Sequence, residues 1–191
     1  MQDLQNQILD FWFARPGSAD YGRMRKEWFR KDAAFDAAIR DRFGAEVETA
    51  LAGGFADWTD PRAALARVLL LDQFTRNIFR DSPRAFAGDK LALATAQEAI
   101  VRGDDAALNP VERRFLYLPF SHAEDASAQE RAVALCTRLR DETGDGDPLL
   151  WAEKHAAVIR RFGRYPHRNA TLGRTSTPEE ITFLREAGSR F

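Results

Sequence analysis

Two sets of side chains in this sequence could bind or relay charge: arginines crowded near its end, and histidines spaced among carboxylates. The segment from His155 to Pro178 carries Arg160, Arg161, Arg164, Arg168 and Arg174 with His155 and His167, and it contains no Asp or Glu. The chain as a whole is balanced, with 28 basic and 29 acidic residues. Acidic partners for this segment must therefore come from elsewhere in the fold or from a ligand. A guanidinium is a planar fork that receives a carboxylate or phosphate through two parallel hydrogen bonds. The first chemistry to expect here is anion binding.

Two further clusters place polar groups where apolar ones are expected. In the stretch from Ala63 to Arg80, Leu70, Leu71, Phe74 and Ile78 form one helical face, while Leu65 and Leu69 begin a second. Asp72, Gln73, Arg76 and Arg80 continue that second stripe, with Asn77 beside them. Asp72 and Arg76 have the spacing of an intrahelical ion pair, so a salt-bridged surface helix competes with a cleft lining. Around Pro119, Tyr117, His122 and Glu124 form another group, and Pro119 is expected to break the helix and leave His122 in a loop. A hydrogen-bonded structural histidine is the plain alternative there.

The expected binding residues are thus Asp72, Gln73, Arg76, Asn77, Arg80, Tyr117, His122, Glu124, His155, Arg161, Arg164, His167, Arg168, Asn169 and Arg174. The preferred partner is an anionic small molecule or an acidic peptide. An enzyme would use one of the three histidines as general base, with Glu124 or Asp72 orienting it. No nucleophile elbow, phosphate-binding loop or zinc-protease pattern is present, so no reaction or cofactor is specified. His122-x-Glu124 and Glu153-x-His155 do not share a helical face, and no metal site is expected. With a pI near 6.3 and prolines fixing the arginine segment, nucleic acid is not an expected partner. A module for protein interactions is the third possibility.

These groups must be held by helices. Asp60-Pro61, Ser82-Pro83, Asn109-Pro110, Asp147-Pro148 and Thr177-Pro178 each set a capping residue before a proline suited to the first helical position. Glu112 and Glu180 add the capping-box spacing. The predicted helices cover 3–14, 32–53, 60–80, 83–102, 110–118, 125–142, 148–162 and 178–187, with 20–31 short or irregular. Strand signals are nearly absent, and the fold class is all-α. Short connections make successive helices antiparallel hairpins, within one domain over 1–191. Trp12, Trp28, Trp58 and Trp151 are expected as core anchors, an exposed one marking an interface, and Cys136 as a small core residue. No apolar run reaches a membrane span, no secretory signal is visible, and a cytoplasmic setting is expected.

Leu71-Asp72-Gln73-Phe74-Thr75-Arg76-Asn77-Ile78-Phe79-Arg80, Tyr117-Leu118-Pro119-Phe120-Ser121-His122-Ala123-Glu124 and Arg161-Phe162-Gly163-Arg164-Tyr165-Pro166-His167-Arg168-Asn169, with Leu172-Gly173-Arg174, together resemble a bacterial family, domain-of-unknown-function family 924. Ile8-Leu9-Asp10-Phe11-Trp12-Phe13 and Ser176-Thr177-x-x-Glu180 match it as well, and Ala123 and Tyr165 depart from its expected Ser and Phe. The resemblance implies a helical fold similar to the tetratricopeptide-like superfamily. It brings no established activity and transfers no catalytic residue.

Overall fold

Helix α1 (Gln2–Phe13) forms around a stripe of Ile8, Leu9, Trp12 and Phe13, all buried. The chain turns at Ala14, which takes a left-handed φ of 66°. The helix has no basic residue in its last turn, and Arg25 supplies the missing cation from outside. Its Nη1 donates to the carbonyls of Phe11 and Trp12, each at 2.9 Å, which satisfies acceptors a helix end leaves open.

This computed structural model describes residues 2–189, and no strand occurs among them; the protein is all-α. Its packing separates into two units, Met1–Arg80 with Arg84–Pro119, and Asp81–Pro83 with Phe120–Phe191. Each is taken by itself.

In the first unit, Asp32 caps α2 (Ala33–Leu51), accepting from the Ala34 and Phe35 N–H groups. The buried stripe is Asp36, Ile39, Phe43, Val47 and Ala50. Phe35, one residue before that stripe begins, is half-buried and stacks on Phe11 with centroids 5.5 Å apart. Trp12 stacks on Trp28 at 5.7 Å and meets Phe115 edge-on at 5.6 Å, so aromatic pairing anchors this core.

The single regular helix expected over 60–80 is instead three segments: α3 (Pro61–Val68), a π-helical turn (Leu69–Phe74) and α4 (Thr75–Ile78). A π turn inserts a residue into the helical repeat, so faces drawn at a constant 100° lose phase beyond it. Leu65, Leu69, Leu70, Leu71, Phe74 and Ile78 are all buried. The backbone of Gly88 abuts this turn: a Cβ there would lie 2.1 Å from the Leu71 carbonyl oxygen. Ser82-Pro83 does not open the long helix expected over 83–102. Pro83–Phe86 is a 3-10 turn, and α5 (Asp89–Arg102) starts only after Gly88. Residues 20–31 likewise supply one 3-10 turn, Lys26–Phe29.

Helix α6 (Pro110–His122) opens on the expected capping box: Asn109 accepts from Glu112 N–H and Glu112 accepts from Asn109 N–H, both at 3.0 Å. Its far end corrects the sequence reading. The helix runs through Pro119 to His122, so His122 lies on a last helical turn and not in a loop. A proline inside a helix deletes one hydrogen bond, yet it does not stop this one.

In the second unit, α7 (Ala126–Thr143) and α8 (Asp147–Phe162) pack together and bury Leu135, Cys136 and Leu139 from one, and Leu149, Ala152, Ala156 and Ile159 from the other. Gly163, at φ 70°, ends α8. A 3-10 turn at Pro166–Arg168 follows, and α9 (Pro178–Phe183), shorter than expected, begins on the Thr177–Glu180 capping box.

Candidate functional site

Most of the arginine forks are already filled by carboxylates of the same chain. In the first unit, Arg80 grips Asp36 through Nε and Nη2, and the Asn77 amide donates to the same carboxylate at 2.7 Å. Arg76 Nη1 lies 3.1 Å from an Asp72 carboxylate oxygen and 2.9 Å from Asp89, and donates to the Asp72 carbonyl at 2.7 Å. Gln73 donates to Asp72 at 2.6 Å. Tyr117 donates to Asp105 at 2.6 Å and accepts from Arg113 at 3.2 Å. Asp36 was not foreseen as a partner, although it falls three residues before Ile39 on the buried stripe of α2.

The second unit answers where the acidic partners of the cationic segment come from. Arg164 holds Glu180 bidentately, at 2.6 and 2.8 Å, and donates to the Thr175 carbonyl. These bonds act first on Glu180; burial works against them, and the Thr177 N–H and Asn169 amide assist, so its pKa is held down to about 2. Arg174 holds Glu124 at 2.6 and 2.9 Å and donates through Nε to Asn169 at 2.9 Å. Burial pushes the Glu124 carboxyl up, but Arg174, the Tyr165 N–H and the charge of Arg168 outweigh it and hold it low. Arg161 pairs with Glu179 at 2.9 Å on the surface. Asn169, fully buried, donates to Ser176 and Glu180. These bonds pin the 163–177 segment to α9 and to Glu124.

What that segment positions is the remaining group. All three histidines of the chain lie in one run of ring contacts with Tyr165, His155 and His167 against its ring and His122 against His155, and Arg168 joins them. His155 is 6.1 Å from His122 and 5.7 Å from Tyr165, centroid to centroid, and Tyr165 is 5.5 Å from His167. The Arg168 guanidinium sits 4.7 Å over the Tyr165 ring and donates to the His122 carbonyl at 3.0 Å. Tyr165 itself, with no exposed surface, donates its hydroxyl to the Ser121 carbonyl and accepts from Gln129 at 2.9 Å. Its position drew notice only as a departure from an expected Phe. The hydroxyl is why Tyr fits: with Gln129 it serves carbonyls at the end of α6 that a helix leaves open.

His155 is 7% exposed and Arg168 6%, while His122 and His167 are half-buried. His155 Nδ1 lies 2.7 Å from the Trp151 carbonyl, a contact that places the neutral ring's proton on Nδ1 and its lone pair on Nε2. Burial, then the charge of His122, lowers its pKa to about 3; Arg168 and His167 add to this and the Trp151 carbonyl opposes it. His155 is therefore neutral at pH 7 and a weak base. The expected acid–base pairing asks Glu124 or Asp72 to orient an imidazole. Here the Trp151 carbonyl orients His155, Glu124 serves Arg174 and Tyr165, and Asp72 serves Gln73 and Arg76. Among the described residues no group of three or more His, Cys, Asp or Glu could hold a metal ion. Trp12, Trp28 and Trp58 are buried as expected; Trp151 is not, at 41% exposed.

The fold and this cluster define an all-helical protein with a basic, partly buried centre in its second unit. The chain belongs to the family described as "Bacterial protein of unknown function (DUF924)", which matches residues 8–188. It is similar to a solved structure from Agrobacterium tumefaciens, the protein of unknown function ATU0120, at 43% identity and a TM-score of 0.86, covering 97% of this chain and 99% of that one. The search of curated proteins gave no match. No helix among the described residues is long and apolar enough to cross a membrane.

Proposed function

We propose that the second unit binds a small carboxylate- or phosphate-bearing molecule at the cluster of His122, His155, His167 and Arg168. One observation carries this reading: His155, His167 and the Arg168 guanidinium pack against the buried Tyr165 ring, and His122 packs against His155. A bound anion pairs with the permanent charge of Arg168, and imidazoles that take up a proton as it binds balance the rest of its charge. The forks of Arg80, Arg164 and Arg174 support the scaffold, so the binding role once spread over the arginines concentrates on Arg168 and the histidines. Burial of His155 and Arg168 favours a compact anion over a long acidic peptide.

Thermal shifts with inorganic phosphate and oxalate test the reading. The unmodified protein should gain stability by about 2.7 kcal/mol when the anion is at a hundred times its Kd. Arg168→Gln should abolish the gain, and Arg161→Gln, which loses the surface pair with Glu179 and the stacking on Phe162 and Phe183, should keep it. An equal response in all three proteins would refute the site, because nonspecific salt stabilisation does not depend on Arg168.

A further inference from the structure

The first unit holds a second feature, independent of the histidine cluster. An open cleft of about 670 Å³ lies among the end of α1, the 20–27 segment and α2, within the size range of small-molecule sites. Its walls are of two kinds. Phe11, Phe35 and Met24 supply an apolar one: the two rings are stacked within 10° of parallel, both half-buried, and Met24 is 43% exposed. The other wall is cationic. Asp10 faces Arg15 at 3.5 Å and Glu27 faces Arg25 at 3.3 Å, which leaves Arg23, Lys26 and Arg42 against Asp20.

Arg42 stands out among these cations. Its guanidinium lies 4.8 Å from the Phe11 centroid and 5.2 Å from that of Phe43. It forms no ion pair among the described residues, unlike Arg76, Arg80, Arg164 and Arg174. Stacking on an aromatic face orients the fork, and an exposed fork beside an aromatic pair is matched by a ligand with both features. We propose that this cleft binds a small aromatic carboxylate. The ring lies against Phe35, Phe11 and Met24, and the carboxylate is received by Arg42. Arg23, Arg25, Lys26 and Arg42 against Asp10, Asp20 and Glu27 leave the lining one net positive charge, so the fitting ligand carries one negative charge.

Ligand-observed NMR with cinnamate tests this, with cinnamyl alcohol and acetate as controls. The expected result is saturable binding of cinnamate, with the alcohol and acetate each weaker by about tenfold or more, the scale of a lost charge-assisted contact. Arg42→Gln, an exposed substitution whose folding is checked by its melting temperature, should reduce cinnamate to the affinity of the alcohol. Phe35→Leu should weaken both aromatic ligands, and Arg168→Gln should leave cinnamate binding unchanged. Absence of saturable cinnamate binding, or full binding by Arg42→Gln, would overturn the proposal.

Discussion

His155 holds its imidazole where protonation is costly, and this gives the protein a pH signature. The native pKa is about 3 against an ordinary 6.5. The unfolded chain therefore takes up a proton that the native state refuses, and stability falls as pH drops below 6.5. Between pH 6.5 and 5 the loss should be on the order of 2 kcal/mol, read from urea unfolding at each pH. His155→Gln should flatten that interval. Glu180, lowered to about 2 from 4.5, also loses its stabilising effect in acid, but only as pH falls from about 4.5, so the interval between pH 6.5 and 5 reports His155 without it. Glu124→Gln tests the other latch. It leaves Arg174 facing a neutral amide, both groups being about a quarter exposed, and should cost about 1–2 kcal/mol after allowance for solvent screening. A variant as stable as the unmodified protein would show that the 163–177 segment is held by other bonds.

The helix starts at Asp60, Asn109 and Thr177 were legible because capping is local, each bonding a backbone N–H within three residues; Ser82-Pro83 opens only a 3-10 turn, and Asp147 lies inside α8, whose cap position is Gly146. What the sequence did not disclose depends on contacts between distant segments. Nothing near Leu69–Phe74 announces a π turn, and Pro119 reads as a breaker until its helix is seen to continue. Gly88 links the two kinds of information, since only packing on the Leu71 carbonyl requires a residue without a Cβ. Gly88→Ala forces backbone apart and should destabilise by about 3 kcal/mol or more, measured by chemical denaturation. A cost below about 1 kcal/mol, the scale of helix propensity alone, would show that the π turn yields to the added methyl.

For the molecule as a whole, the balanced charge count was the informative clue. A cationic segment with no acids of its own, in a chain of nearly balanced charge, had to find its carboxylates outside itself, and it finds Glu124 far back in the chain and Glu179 and Glu180 just beyond its end. The residue list drawn from sequence combined two roles that the structure separates. Arg161, Arg164, Arg174 and Asn169 tie the segment down, whereas His122, His155, His167 and Arg168 form the basic centre. Asp72, Gln73, Arg76, Asn77 and Arg80 belong to the other unit and bond within it. Sequence spacing reports which residues are near in the chain, and it cannot pair charges across forty or more positions.

The most direct measurement is the pH titration of the three histidine rings by nitrogen-detected NMR, with and without saturating inorganic phosphate. An anion seated among His122, His155, His167 and Arg168 should move all three sets of ring resonances and raise the pKa of His155 from about 3, because a nearby negative charge favours the protonated ring. Arg168→Gln should erase the response. Unchanged titrations at every phosphate concentration would contradict the account and leave the cluster a structural one.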